Sequence, residues 1–373
     1  MTPQQESDQA AFRAFVAQTI VPYADQYDRE ERLPPDVIGA LAREKYLGAL
    51  LPQEWGGYGM DMVTFGLLNE EVGSGCSSAR SLLTVHSMVA HTILRWGTQG
   101  QKERWLPRLA SGETIAAFAL TEPNVGSDAK SVETTASPAG DGYILNGRKK
   151  WITFGQIADL FLVFAQCEGE LISFLVERDS SGFSTEPISG LLGMRASMLA
   201  ELHIADCRVP TENVVGRAGF GSSAVFTSAL DVGRYSVAWG GVGIAQACLD
   251  ACAQYTQQRV QFGVLLKEHE LIREMMTNML VNLRAARLLC YHAGCLKDSG
   301  DPGAVEETLI AKYFTSTTAM KAASDAVQIH GANGCGSEYP VQRYLRDAKI
   351  MEIIEGSTQI QQITIARYAY RAR

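Results

Sequence analysis

The sequence predicts an α+β multidomain chain with an α-helical N-terminal domain, a middle antiparallel β-barrel or sandwich, and a C-terminal four-helix bundle. Three observations carry this. Up to about residue 113 the apolar residues recur at helical spacing, from 114 to 220 they fall into short strand-like runs, and from 221 to 373 helical spacing returns in longer stretches. In the first zone Phe12, Phe15, Val16 and Ile20 share one stripe that Pro22 limits. Leu33-Pro34-Pro35-Asp36 then opens a helix with Val37, Leu41 and Leu47 apolar beyond it. Gly56-Gly57 breaks the pattern, and helical stretches resume over 65–72 and 82–96.

In the second zone Asn146-Gly147 stands between apolar flanks and predicts a hairpin turn. The runs 160–164 and 171–176 follow as two more strands. In the third zone Ile272, Met276, Met279, Leu283, Ala286 and Cys290 are spaced 4, 3, 4, 3, 4, the seam of a helix packed along another. Asp298-Ser-Gly-Asp-Pro-Gly303 interrupts it, helical texture runs from 306 to 329, and a last stretch follows Gly331-Ala-Asn-Gly334.

Composition narrows the function classes. With 373 residues, 46% hydrophobic and 20% charged, the chain has the length for two or three domains and can bury a sizeable core. The net charge of −8 is spread along the chain, which argues against nucleic acid as the main partner. Eight scattered cysteines read as free thiols in a reducing compartment. No basic-then-apolar leader is visible at the N-terminus. The longest uncharged stretch, Tyr235–Leu249, has 15 residues, short of the ~18 that a membrane span needs, so a cytoplasmic protein is expected. No metal site is expected either, because the six histidines lack a ligating third partner. No Ser or Cys stands in a nucleophile elbow.

Three features carry candidate chemistry. Thr121-Glu-Pro-Asn-Val-Gly126-Ser127 offers backbone N–H groups and hydroxyls at one rim, as an anionic cofactor requires, although an ordinary capped turn reads the same. Trp151 and Thr153 would share a strand face, which suits a flat heterocycle or equally a Trp capping a barrel end. Glu355 follows two isoleucines and precedes Gly356-Ser357, a carboxylate at a helix break in apolar surroundings. Desolvation would raise its pKa, as a general base for a weakly acidic proton needs; an exposed acid at a helix end is the plainer reading.

These features fall together in one family. Phe118-Ala-Leu-Thr-Glu-Pro-Asn-Val-Gly-Ser-Asp128, Arg259-Val-Gln-Phe262-Gly263, Gln328-Ile-His-Gly-Ala-Asn-Gly334 and Arg346-Asp-Ala-Lys-Ile through Glu355-Gly-Ser357 stand in order over nearly the whole chain. The sequence therefore resembles the acyl-CoA dehydrogenases, FAD flavoproteins that are usually homotetramers. The resemblance implies that Phe118, Leu120 and Thr121 meet the isoalloxazine ring and that Trp151 and Thr153 cover it near N5. Gly126 and Ser127 would lie by the diphosphate and the thioester tail. Arg259, Phe262, Gln328 and Gly331 would come from a neighbouring subunit to hold the adenosine diphosphate half, and Ser357 and Gln359 would return to the same cofactor. Glu355 would take the α-proton as a hydride leaves the β-carbon for flavin N5. The alternative base position, just before Arg234, holds Gly233.

Departures shape the substrate expectation. Ile354 replaces a common Tyr before the base, and Glu270 stands where a flavin-binding Gln is frequent. Arg80 resembles the arginine with which glutaryl-CoA dehydrogenases hold a distal carboxylate, or else is a surface arginine on a helix. With Ser127, Arg234 and Ile354 it makes up the expected substrate contacts. The expected reaction is FAD-dependent dehydrogenation of a short acyl-CoA, with an electron-transfer flavoprotein as acceptor in a homo-oligomer (dimer or tetramer). One alternative is oxidation of a hydroxyacyl unit on an acyl-carrier protein, toward a hydroxymalonyl- or methoxymalonyl-type polyketide extender unit. Another, of a different class, is a non-catalytic flavin-binding scaffold.

Overall fold

A computed structural model describes residues 1–216 and 221–370. The N-terminal helices are α1 (Pro3–Thr19), α2 (Ala24–Glu30), α3 (Pro35–Arg43), α4 (Met62–Gly75), α5 (Ser77–Trp96) and α6 (Gln99–Ser111). Strands β1 (Ala116–Ala119), β2 (Thr135–Ala139), β3 (Gly142–Ile152), β4 (Leu160–Cys167), β5 (Glu170–Glu177), β6 (Phe183–Pro187), β7 (Ala200–Pro210) and β8 (Val214–Val215) follow. The last zone holds α7 (Gly221–Thr256), a short β9–β10 ribbon (Val260–Gln261 and Val264–Leu265), α8 (Glu270–Ser299), α9 (Ala304–His330), α10 (Val341–Met351) and α11 (Thr358–Ala369). The expected boundary at 220 falls outside the described residues.

The stripe Phe12, Val16 and Ile20 is buried as the spacing predicts, and Leu283, Ala286 and Cys290 line the buried seam of α8. The fourth leg of the bundle differs from the expectation of long helices. It is two short helices, α10 and α11, broken at the residues that carry Glu355. The uncharged stretch Tyr235–Leu249 is the middle of α7, which packs against α4, α5, α9 and α10 at once and therefore has no solvated face to polarise. Among the described residues no helix is long and apolar enough to cross a membrane.

The strands form one eight-stranded sheet in the order β6-β7-β3-β2-β4-β5-β8, with β1 added parallel to β4. Parallel pairing also joins β2 to β4, so the sheet is mixed rather than purely antiparallel. Asn146-Gly147 is not a hairpin turn but the interior of β3. The pair sits where the β3–β7 register slips, a bulge. There Asn146 exchanges side-chain hydrogen bonds with Asp206, and a Cβ on Gly147 would come within 2.5 Å of Thr134 Oγ1. The local pair thus answers to a close approach across the sheet. The true tight turns are Gly140-Asp141, between β2 and β3, and Glu168-Gly169, between β4 and β5. In the second, both residues take positive φ (52° and 86°), as a two-residue hairpin requires.

A buried ion pair fixes the exit of β1. Lys149 Nζ donates to Glu122 Oε1 at 2.7 Å and to the Leu120 carbonyl at 3.1 Å, and both side chains are essentially inaccessible. Glu122 also accepts from the Thr134 amide at 2.9 Å, the Thr134 hydroxyl at 2.5 Å and the Glu133 amide. Burial would raise its carboxyl, but Lys149 and these donors outweigh it and hold the group below its usual range. The Leu120–Thr121 backbone is thereby tied to β3.

Breaking this pair by Glu122→Gln or Lys149→Met leaves one buried charge unpaired and should cost about 3–5 kcal/mol in denaturant unfolding. The double replacement by Met should cost less than either single change, because nothing charged is then stranded. Single-variant losses below about 1 kcal/mol would show that the pair behaves as a surface bridge.

Candidate active site

The break between α10 and α11 presents Glu355 in a left-handed conformation, φ 54°, followed by Gly356 at φ 96°. A side chain at positive φ is costly and persists only where neighbours impose it. Here both carbonyls of the turn are bound by side chains. Arg234 Nε, from α7, donates to the Glu355 carbonyl at 3.1 Å, and Lys312 Nζ, from α9, donates to the Gly356 carbonyl at 2.7 Å. Gln361, buried in the first turn of α11, reaches both, at 3.1 and 3.3 Å. The Ser357 hydroxyl caps α11 by accepting from the Ile360 amide at 3.3 Å.

The turn drives the carboxylate inward against α7. A Cβ at Gly233 would lie 2.7 Å from Glu355 Oε2 and 2.8 Å from Met88 Sδ, so the absence of a side chain at 233 makes the room. Glu355 Oε2 is buried and has no hydrogen-bond partner. Burial pushes this carboxyl up to about 7, although the charges of Arg234, Lys312 and Arg80 pull it down. A desolvated carboxylate with a free lone pair and a pKa near neutrality is suited to accept a proton from carbon.

Arg80 is fully buried on α5, not a surface residue. Its Nη1 donates to Thr84 Oγ1 at 2.6 Å and Ser236 Oγ at 3.3 Å, its Nη2 lies 3.8 Å from Met351 Sδ, and its Nε has no partner. Among the described residues no carboxylate forms a salt bridge with it. Burial pushes its guanidinium down to about 10. Ser236 passes the network on to Asn69 Oδ1 at 2.6 Å. Arg234 is a support for the backbone of Glu355, and Ile354 is half-buried against the core.

The remaining predicted residues fall into two groups. Phe118 and Leu120 are buried at the end of β1, Thr121 is half-buried, and Gly126 and Ser127 lie exposed in the loop beyond. Trp151 stands at φ 62° beside a second register slip, with 49% of its surface exposed, and Thr153 follows the end of β3. Strand alternation therefore does not set their relation; the left-handed Trp151 does. The second group sits at the C-terminal ends of α7 and α9. Arg259, Phe262, Gln328 and Gly331 are all exposed, Phe262 to 96%. Tyr255 joins them: it stacks on His330 at 4.2 Å, and its hydroxyl accepts from Asn333 at 2.9 Å. Gln359 is exposed on α11.

Sequence reasoning missed Lys312 and Gln361. A faint signal existed for the first, since Lys312 is the one charge between Thr308 and Met320.

Models of the acyl-CoA dehydrogenase N-terminal, middle and C-terminal domains match residues 2–113, 117–207 and 221–370. Glutaryl-CoA dehydrogenase of Desulfococcus multivorans is 37% identical over 96% of this chain and 94% of its own length. The solved structure of a glutaryl-CoA dehydrogenase from Mycobacterium smegmatis in complex with FADH2 superposes with a TM-score of 0.95 at 30% identity, covering 99% of this chain and 95% of that one. FkbI, for biosynthesis of the methoxymalonyl extender unit of a polyketide immunosuppressant, matches with a TM-score of 0.89 at 32% identity, covering 98% and 99%. With the Glu355 turn, the mixed sheet and the bundle in this arrangement, the chain belongs to the acyl-CoA dehydrogenase family.

Proposed function

We propose that this protein dehydrogenates a short acyl-CoA thioester, with Glu355 as the base and FAD as the redox cofactor. The observation that carries it is the partnerless, buried Oε2 of Glu355, seated against Gly233 by a strained turn. A structural acid would be paired; this one is kept dry and free. A scaffold without chemistry has no use for it.

The residues present fit a flavin. Trp151 offers a half-exposed indole beside the half-buried Thr121 and Thr153, and an aromatic this open suits a flat ligand face. Gly126 leaves open space where a Cβ would stand, so backbone can approach a phosphate. Phe118, Leu120 and Ser127 complete this side, with Ser357 and Gln359 beyond the base. Arg259, Phe262, Gln328 and Gly331 are read as serving the cofactor of a second copy, which makes the working unit a homo-oligomer, dimer or tetramer. When bound, FAD would supply the acceptor for one hydride, and with it the two electrons of the oxidation. Glu355 Oε2 accepts the α-proton, Arg234 holds the base's backbone, and the apolar surroundings, with Ile354 at their edge, exclude water. An electron-transfer flavoprotein is the proposed onward acceptor, and the three helical and β zones, divided near 113 and 220, are read as parts of one site.

Arg80 narrows the acyl group. A buried guanidinium with two hydroxyl partners, a free Nε and, among the described residues, no salt bridge is suited to receive an anion. We read it as the seat of a terminal carboxylate, which makes a glutaryl-type thioester the preferred substrate. FkbI and the Ile354 replacement favour a second reading, a thioester on an acyl-carrier protein. Flavin bleaching by the carrier form alone would decide for it.

Glu355→Gln should remain yellow with bound FAD yet reduce flavin at least about 10³-fold more slowly in single turnover with glutaryl-CoA. In the unaltered protein that rate should rise as pH passes through about 7, since the base works only when deprotonated. A variant that turns over normally would remove Glu355 from the reaction.

Arg80→Met should lower kcat/KM for glutaryl-CoA by about 10²-fold while changing that for butyryl-CoA by only a few-fold. Equal losses on both substrates would mean that Arg80 reads no carboxylate.

A further inference from the structure

Lys312 is buried in the middle of α9 with no exposed surface, where a methionine would fill the same space without the cost of desolvating an ammonium. Among the described residues it forms no ion pair with Asp or Glu. Its hydrogen bond goes to a backbone carbonyl, that of Gly356. That carbonyl belongs to the turn in which Glu355 adopts its left-handed conformation, and the Glu355 carbonyl one peptide earlier is taken by Arg234 and Gln361. Three helices of the bundle therefore each send one donor to two adjacent carbonyls.

We propose that Lys312 is a positioning residue for the base: bound to the Gly356 carbonyl, its ammonium locks the Glu355-Gly356 turn and adds positive charge beside the Glu355 carboxylate. The lock follows from the geometry. Released from its donors, a non-glycine residue at φ 54° has every reason to relax, and the carboxylate would leave its seat against Gly233. The charge matters because burial works the other way. The cations that offset burial at Glu355 are Arg234 on α7, Lys312 on α9 and Arg80 on α5. Lys312 in turn faces Glu355, Arg234 and Glu352; Arg234 also faces Asp231 and Tyr368, and Arg80 faces Asp347. Burial holds the Lys312 ammonium down to about 8, so it still carries its charge where Glu355 titrates. Removing it takes away one of three cations and leaves the desolvation intact, so Glu355 must hold its proton more tightly.

The inference rests on Glu355 being the base, and the test separates the two. Lys312→Met and Lys312→Gln are loaded with FAD and mixed with butyryl-CoA in single turnover across pH, with Glu355→Gln as control. Lys312→Met should reduce flavin about fivefold more slowly at pH 7, with the rising limb of the pH profile moved up by about one pH unit and the apparent Kd for butyryl-CoA within about twofold. Amide hydrogen exchange over residues 353–357 should also speed up. Lys312→Gln keeps a donor without the charge, so it should show the same displaced limb with exchange close to that of the unaltered protein. Limbs that superimpose on the unaltered profile in both variants overturn the proposal while a dead Glu355→Gln still upholds the base. An active Glu355→Gln overturns the base reading itself. If Lys312→Met fails to hold FAD, the limb of Lys312→Gln decides alone. Loss of FAD by both overturns the proposal, because Lys312 is then needed for folding rather than for placing the base.

Discussion

The burial of one carboxylate without a hydrogen-bond partner constrains more of this molecule than any other contact. Leaving an acid dry is expensive, and the cost has to be met by structure around it. At Glu355 that structure is a broken helix, a missing side chain at Gly233 and a set of donors gathered from separate helices. The break between α10 and α11, an interruption in the bundle's fourth leg, is therefore the feature around which the leg is built. A continuous helix there would place residue 355 in ordinary αR geometry and lose the inward turn.

The middle zone shows a parallel solution with opposite electrostatics. Glu122 and Lys149 are buried, as is Oε2 of Glu355, but every oxygen of Glu122 is engaged and its carboxyl is held low. That carboxylate serves to hold backbone in place, at Leu120 and at the 133–134 amides. Glu355 is held in place and left unengaged, and its carboxyl rises to about 7. Two buried glutamates in one chain are thus set to different tasks by whether their lone pairs are filled.

What could be read from the sequence depended on how far the causes lie along the chain. The α8 seam is legible because one face of one helix decides it, and Glu355 stands out because isoleucines precede it and Gly-Ser follows. The supports of the turn are not legible, since Arg234 and Lys312 lie 121 and 44 residues from the carbonyls they bind. Arg80 misleads for a related reason. A polar residue on a helix is solvated when the helix has a free face, and α5 is buried along most of its length between α6, α7 and β1. Asn146-Gly147 is the reverse case, where a strong local turn signal yields to a cross-sheet approach at Thr134.

The arrangement of charge suits the reaction better than it suits the resting protein. Arg80, Arg234 and Lys312 all act on the Glu355 carboxylate, and among the described residues none of them is tied to it by a salt bridge. In the proposed reaction Glu355 accepts a proton from the α-carbon, and the negative charge passes from the carboxylate to the thioester enolate. Nothing around it has to reorganise, because the guanidinium groups and the ammonium are already fixed by hydrogen bonds to hydroxyls and backbone carbonyls. The proposed anionic acyl group answers to Arg80 alone, whose buried Nε has no partner. On the proposed reading, a substrate with a terminal carboxylate would give the Arg80 guanidinium the salt bridge it does not make among the described residues, and a plain alkyl chain would leave it as costly as it was before binding.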